Sequence, residues 1–296
     1  MWLVGIGLAA VVWIGLGART SRSDGTVVKN VHPYRRMLLL VSPSKSESTF
    51  QASMEVPADE LENFLSERQD VSLTNVVVAA LMRVLDEVPQ MNRFVAGGRL
   101  YQRNALSISF SAKRQKGSAS AKVSVVNISN PEPHSLMEVA HRTTSLLRRE
   151  RSGEQTYADK EYSFFGKVPH SIMKKAPTVL MTLDSFGLLP RSFIENDPLF
   201  CSVFIANLGS IQMAAGHHHL FEWGNCPVFI TVGQIGWTPI GSKDGVASVR
   251  CLPLRITYDE RIDDGLTARK GLRLLEELIA NPSALLDEKK EESIHA

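Results

Sequence analysis

Cysteine is scarce in this chain of 296 residues: there are three, Cys201, Cys226 and Cys251. An odd number at wide spacing fits free thiols in a reducing compartment better than a disulfide framework. No Cys-x-x-Cys or His-Glu-x-x-His spacing occurs, so no metal is expected. Net charge is only +2, from 33 basic and 31 acidic residues, and no basic-aromatic patch stands out. The chain therefore lacks the electrostatic footprint of a nucleic-acid binder. A Gly-rich phosphate loop is missing too. The pair Gly97-Gly98 has no further glycine at the required spacing, and Ala96-Gly97-Gly98-Arg99 reads as a hairpin turn. Long apolar runs are absent except at the N-terminus.

That exception is residues 1–18, which contain no charged side chain. As a helix they would run about 27 Å, against a hydrocarbon core of about 30 Å. Four glycines lower helix propensity but are tolerated in membranes. Basic residues follow (Arg19, Arg22, Lys29, Arg35 and Arg36), opposed only by Asp24. By the positive-inside rule a single span here leaves the rest of the chain in the cytoplasm. A cleaved secretory leader lacks its basic n-region and a good cleavage site; it and a misassigned start are the rival readings. Residues 19–36 read as a polar, basic linker.

What remains has the composition of a globular α/β protein, 44 % hydrophobic and 22 % charged, long enough for one large domain or two small ones. Residues 36–42 and 50–56 read as short strands. Pro57-Ala-Asp-Glu-Leu61 opens a helix with acids in its first turn. Ser72 or Thr74 caps the next helix, whose apolar positions Val76, Val77, Leu81, Val84 and Leu85 make a buried stripe. Alternation over 106–111 marks a half-buried strand, with 121–126 as its partner. Residues 135–151 form an amphipathic helix, with Leu136, Val139, Ala140, Leu146 and Leu147 inward. Its basic end, Arg148 to Arg151, complements the helix dipole. Residues 158–200 carry two amphipathic segments with Lys174 and Lys175. These lie on a membrane surface, cap an acyl tunnel, or simply add packing.

Several motifs then occur in order. Residues 72–92 make a long helix with a Pro-x-x-Asn exit at Pro89 and Asn92. Cys201 to Ser210 contains Ile205-Ala206-Asn207-Leu208-Gly209. A further strand reads from Pro227 to Gly236. Leu252 to Gly265 ends in Asp259-Glu260-Arg261-Ile262-Asp263-Asp264-Gly265. Pro282, Leu285 and Leu286 follow a closing helix. Over roughly 45–286 this order resembles the catalytic domain of the 2-oxoacid dehydrogenase (dihydrolipoamide) acyltransferases and their chloramphenicol acetyltransferase relatives. The resemblance implies one α/β two-layer domain over 37–286, with a mixed sheet and flanking helices, and a charged tail at 287–296. It also implies a homotrimer with the active site in a channel between subunits, and a coenzyme A thioester or related thioester as substrate.

Two positions depart from that pattern. Where the family has the catalytic His of Asp-His-Arg, this chain has Glu260, while Asp259, Arg261, Asp264 and Gly265 are kept. Where the family has a Ser or Thr before Asn-Leu-Gly, whose hydroxyl donates to the oxyanion, this chain has Ala206, while Asn207 is kept. A free Glu has a pKa near ~4.3, against ~6.5 for His and ~8.5 for a thiol, so Glu260 is a poor match for a thiol unless burial raises it. Ser210, Ser107, Ser109 and Ser111 replace the missing hydroxyl only where the fold brings one of them there. His217-His218-His219 offers another base, with His219 the candidate; consecutive residues on a strand alternate faces, so the three suit a solvated loop or a proton carrier better than one metal. The candidate site is thus Glu260, Asp264, Ala206, Asn207 and His219. The sequence supports two functions. One is a membrane-anchored acyltransferase-family protein with weak, rerouted or absent transfer; the other is an inactive trimeric scaffold that gathers partners. The lipoyl and subunit-binding domains of the dehydrogenase-complex acyltransferases have no counterpart ahead of residue 37, so a role as the core of such a complex is not expected.

Overall fold

The computed structural model describes residues 22–113, 123–130, 135–151, 168–242 and 245–286. The expected apolar anchor at 1–18 and the charged tail at 287–296 lie outside the described residues. Among the described residues no helix is long and apolar enough to cross a membrane.

Ten strands and eight helices are named here in chain order: β1 (Gly25–Val27), α1 (Pro33–Val41), β2 (Thr49–Pro57), α2 (Asp59–Glu67), α3 (Leu73–Glu87), β3 (Arg93–Ala96), β4 (Arg99–Arg103), β5 (Leu106–Lys113), β6 (Val123–Asn130), α4 (Leu136–Arg151), α5 (His170–Met173), α6 (Ala176–Ser185), α7 (Arg191–Asn196), β7 (Val203–Asn207), β8 (Val228–Val232), β9 (Gly236–Ser242), β10 (Gly245–Asp259) and α8 (Gly265–Ala280). A mixed sheet runs β2-β10-β8-β7-β5-β6, with β9 paired to the first half of β10. The pairs β5–β7 and β7–β8 are parallel; β2–β10, β10–β8 and β5–β6 are antiparallel. A small sheet, β1-β4-β3, stands apart. This is the mixed α/β arrangement expected.

α3 forms because Ser72 closes a capping box: its hydroxyl accepts from the Asn75 N–H while the Asn75 carboxamide oxygen accepts from the Ser72 N–H at 2.8 Å. Ten of its fifteen residues are buried, so it is a central layer and not a surface helix. The main core joins α3 to α4, α8 and one face of the large sheet through Leu81, Val84, Val139, Leu275, Ile205, Ile230, Leu254 and Ile256. The turn between β3 and β4 is the expected Gly97-Gly98 hairpin, both with positive φ (54° and 69°), a conformation glycine adopts without strain.

Three expectations need correction. Residues 36–42 are not a strand but most of α1. A continuous apolar run has no period of its own, and the local signals decide: Pro33 sits in the first turn and the His32 ring accepts from the Tyr34 N–H. β5 is buried on both faces from 106 to 110, not half-buried. Its serines are inside because Asn127 donates to both Ser107 and Ser109 hydroxyls and Ser109 donates to the Pro198 carbonyl. Its partner is β6, as expected; residues 121 and 122 of the expected strand lie outside the described residues. The third concerns the linker. Gly25 to Val27 pair with β4, and Arg22 is buried, bonded to Asp24 at 2.9 Å and to Asp184 at 2.7 Å. Its guanidinium also lies over Phe94 and Tyr101. Burial pushes the Asp24 carboxyl up, but Arg22, Arg103 and Asn225 outweigh this and hold it below the usual carboxylate range.

Candidate active site

Glu260 is the first residue after β10. Its N–H donates to the Ser48 carbonyl at 2.9 Å, and Arg35 of α1 donates to the carbonyls of Glu260 and Arg261 at 2.9 and 3.0 Å. The backbone here is therefore fixed, while the Glu260 side chain is exposed and has no hydrogen-bond partner among the described residues. The neighbours on each side do the fixing. Arg261 grips Asp259 with two parallel bonds, at 2.9 and 2.8 Å, and donates a third to the Pro43 carbonyl at 2.7 Å. Both side chains are almost wholly buried. Asp263 pairs with Arg93 at 3.1 Å. Among the described residues nothing covers the Glu260 side chain.

Asp264, a candidate of the site, is placed at the start of a helix. It is the N-cap of α8, and its carboxylate accepts from the Leu266 and Thr267 N–H groups, each at 3.1 Å. The Thr267 N–H, with help from Leu266, holds its carboxyl below the ordinary range. Asp264→Ala is expected to cost about 0.5–2 kcal/mol of stability at pH 7. Because the folded-state pKa is depressed, this contribution is present above the unfolded pKa and is lost as pH falls through the folded one. Denaturant melts of both proteins at pH 7 and near pH 3 check it. A difference that persists undiminished in acid would be inconsistent with a carboxylate cap.

The second position lies on β7. Alternate residues of β7, β8 and β10 face the main core; Phe204, Ala206, Phe229, Thr231, Arg255 and Thr257 face the other side. There the register places Ala206, Thr231, Arg255 and Ser53 in one row across four strands. Asn207 ends β7 and is held at both ends of its side chain, donating to Thr74 at the start of α3 and accepting from the Ser210 N–H, each at 3.0 Å. Gly209 is required for close approach, since a Cβ there would stand 2.5 Å from the Gly233 carbonyl oxygen. The Asn-Leu-Gly frame is thus intact around an alanine.

Three of the four serines named from sequence are committed to other partners. Ser210 donates to the Asn207 carbonyl, and Ser107 and Ser109 are buried in the network with Asn127. The hydroxyl beside Ala206 is that of Thr231, which sequence reasoning missed because only the strand register reveals it. It donates to the Gly216 carbonyl at 2.5 Å.

The histidine segment lies over this same outer face. His218 stacks on Phe229 with centroids 4.1 Å apart, and its carbonyl accepts from Thr257. His217 Nε2 meets the Ser53 hydroxyl at 3.2 Å, over the row that contains Ala206. His219, the candidate base, is exposed and makes ring contacts with His218 and Phe221. No group of three or more metal-ligating side chains gathers among the described residues.

The structure does not bring Glu260 and Ala206 together. Ala206 is level with Arg255 on β10, two strands away, and Glu260 lies five residues further along. At about 3.3 Å per residue that is about 16 Å along the strand direction alone. One subunit therefore cannot close a site that uses both positions. Beside the Glu260 turn, between β2 and the start of α8, runs an open groove of about 350 Å³. Phe50, Met54, Ala268 and Leu272 form its apolar wall, and Arg269, Arg273 and Glu276 border it.

The model of the 2-oxoacid dehydrogenases acyltransferase catalytic domain matches residues 40–165. No curated protein matches the chain in sequence. Among solved structures, a probable dihydrolipoamide acetyltransferase from Listeria monocytogenes 4b F2365 superposes with a TM-score of 0.54 at 19 % identity, over 89 % of this chain and 97 % of that one. The Azotobacter vinelandii dihydrolipoamide acetyltransferase gives 0.55 at 17 %, over 88 % and 94 %. A chloramphenicol acetyltransferase gives 0.51 at 11 %, over 89 % and 100 %. At these identities the likeness establishes the fold. The chain has the chloramphenicol acetyltransferase-like fold, and the resemblance to the 2-oxoacid dehydrogenase acyltransferase catalytic domain holds in sequence over residues 40–165 and in architecture over nearly its whole length.

Proposed function

We propose that this protein is a membrane-tethered, trimeric acyltransferase-family protein that binds a coenzyme A thioester or related thioester and transfers acyl groups weakly, through a rerouted chemistry, or not at all. The carrying observation is the contrast at the two reactive positions. Asp259 and Arg261 still clamp the Glu260 turn, and Asn207 and Gly209 still frame Ala206, yet neither position carries the side chain the chemistry needs. The distance between the two positions supports a site shared by neighbouring subunits. The groove beside Gly265 suits an acyl chain along its apolar wall of Phe50, Met54, Ala268 and Leu272. Asp264 acts in this reading as a positioning residue that fixes the start of α8.

A serine, a histidine and an asparagine have been investigated for roles in the Azotobacter protein's mechanism. Here the corresponding reading puts Ala206 and Glu260 in place of the first two and leaves two routes. In one, Glu260 accepts the proton after substrate and a neighbouring subunit bury it. In the other, the protein is a scaffold without turnover, favoured by the exposure of Glu260 and by the engagement of the Ser210 and Thr231 hydroxyls elsewhere.

The test is thiol release from a panel of acyl-CoAs by the full chain and by Glu260→Gln, beside calorimetric titration with coenzyme A. Turnover that falls about 10²–10⁴-fold in Glu260→Gln supports the carboxylate route. Binding of coenzyme A without turnover by either protein supports the scaffold that keeps a thioester site. Neither binding nor turnover overturns the thioester reading.

A further inference from the structure

We infer that helices α5 and α6 form a lipid-contact surface, lying against an anionic bilayer beside the N-terminal apolar segment. This rests on the anchored reading of residues 1–18 given above and adds to it a second, peripheral contact made by the folded domain.

Three observations carry it. The first is the composition and exposure of α6. None of its ten residues is buried. Val179, Met181 and Leu183 are exposed, as are Ile172 of α5 and Leu188 after α6. Its sole charged residue is Asp184, and that carboxylate is already neutralised by Arg22. Two of its three hydroxyls are satisfied within the helix: Thr182 donates to the Thr178 carbonyl at 2.8 Å and Ser185 to the Thr182 carbonyl at 2.7 Å. The surface therefore presents mostly methyl groups and apolar side chains, with the Thr178 hydroxyl as its exposed polar group, a composition that suits the interfacial depth of a bilayer.

The second is charge placement. Lys174 and Lys175 directly precede α6 and are exposed, at the edge of the apolar face. Basic residues bordering an apolar stripe are the pattern of an interfacial helix on anionic lipid.

The third is position. Arg22 donates to the Asp184 carbonyl at 2.6 Å and to its carboxylate, so the C-terminal end of α6 is tied to the chain four residues after the apolar segment. Four extended residues span at most about 14 Å. The end of the apolar segment is therefore within about 14 Å of Arg22, at the foot of α6. The Gly97 turn also abuts this end, where a Cβ would clash with the Ser185 carbonyl. On its inner side α6 contributes Leu180 to the cluster of Leu189, Ile194, Phe200 and Trp223. A helix held at one end and by one inner side chain, with its apolar sides outward, needs a cover. The bilayer that the apolar segment would bring within a helix length supplies one.

The experiment uses the full chain in vesicles of phosphatidylcholine with phosphatidylserine. An environment-sensitive dye is attached to Met181→Cys or, as a control on α8, to Lys270→Cys; Cys201, Cys226 and Cys251 are buried and do not compete. Flotation reports membrane attachment, and a lipid-borne nitroxide reports depth. The expected result is flotation of both proteins, with blue-shifted emission and roughly threefold stronger quenching at position 181 than at 270. Lys174→Glu with Lys175→Glu is expected to move the signal at 181 back toward that at 270. A chain that floats while position 181 stays as wet as 270 overturns the α6 contact and leaves the anchor standing. A chain that fails to float overturns both. A dye at 181 that is shielded without lipid, and more so at higher protein concentration, overturns the proposal and assigns the face to a second copy of the chain.

Discussion

Asp259→Ala is expected to cost about 3–5 kcal/mol of folding stability. The pair it breaks is buried on both sides, and Arg261 would keep a full charge inside the protein with only carbonyl partners, at Ser42 and Pro43. In water the same pair would contribute little; here the penalty arises from stranding one charge away from solvent. The neighbouring Glu260→Ala is the internal control, with an expected change within about 0.5 kcal/mol because its side chain is exposed. Urea denaturation of the three proteins decides the matter. Equal stabilities for Asp259→Ala and Glu260→Ala would show that the Asp259–Arg261 clamp is not what fixes the turn. A large loss at Asp259 would show that the frame of the motif is retained for folding, whatever happens to its chemistry.

The second large effect is a gain. Glu260→His combined with Ala206→Ser is expected to raise acyl transfer above that of the parent chain. A positioned base contributes about 10²–10⁴-fold, and one oxyanion donor about 10²–10³-fold. The two act on one transition state, so their product is an upper limit and not the forecast. An imidazole near ~6.5 is also better matched to a thiol near ~8.5 than a carboxylate near ~4.3. Thr231 does not already supply the donor, since its hydroxyl is committed to the Gly216 carbonyl. Chromatographic measurement of the coenzyme A and the acetylated dithiol formed from acetyl-CoA and a dithiol acceptor reads the gain. A doubly substituted chain that folds, binds coenzyme A and still turns over no faster than the parent would sink the idea that only these two side chains separate this scaffold from transfer.

Different parts of the molecule were legible in the sequence to different degrees, for identifiable reasons. Ser72 and the stripe from Val76 to Leu85 were readable because cap and periodicity agree. The Gly97-Gly98 turn was readable because few other residues accept positive φ twice in succession. α1 was misread as a strand because its leucines run together and the helix is specified by Pro33 and His32, outside the apolar run. β5 was misread as half-buried because serine suggests solvent, and only the fold reveals Asn127 waiting on the other strand. At the site, the substitutions at 206 and 260 were plain from the letters. Their separation was not, since it follows from strand register and not from motif spacing. Asp264 as a helix cap needed no tertiary information, yet its place in a catalytic motif hid that simpler role.

Arg22 has a practical consequence for where this protein can be cut. A polar, basic stretch after an apolar one invites removal of everything before residue 37 to obtain a soluble domain. Such a cut would strip β1 from β4, leave Asp184 without its cation, remove the Asp24 carboxylate that accepts from Asn225 and faces Arg103, and uncover the Phe94 and Tyr101 rings. It would also take away Arg35, which holds the Glu260 turn by its carbonyls. The shortest self-sufficient piece therefore starts ahead of Arg22, only a few residues after the apolar segment, so the first described residues belong to the folded body and not to a spacer.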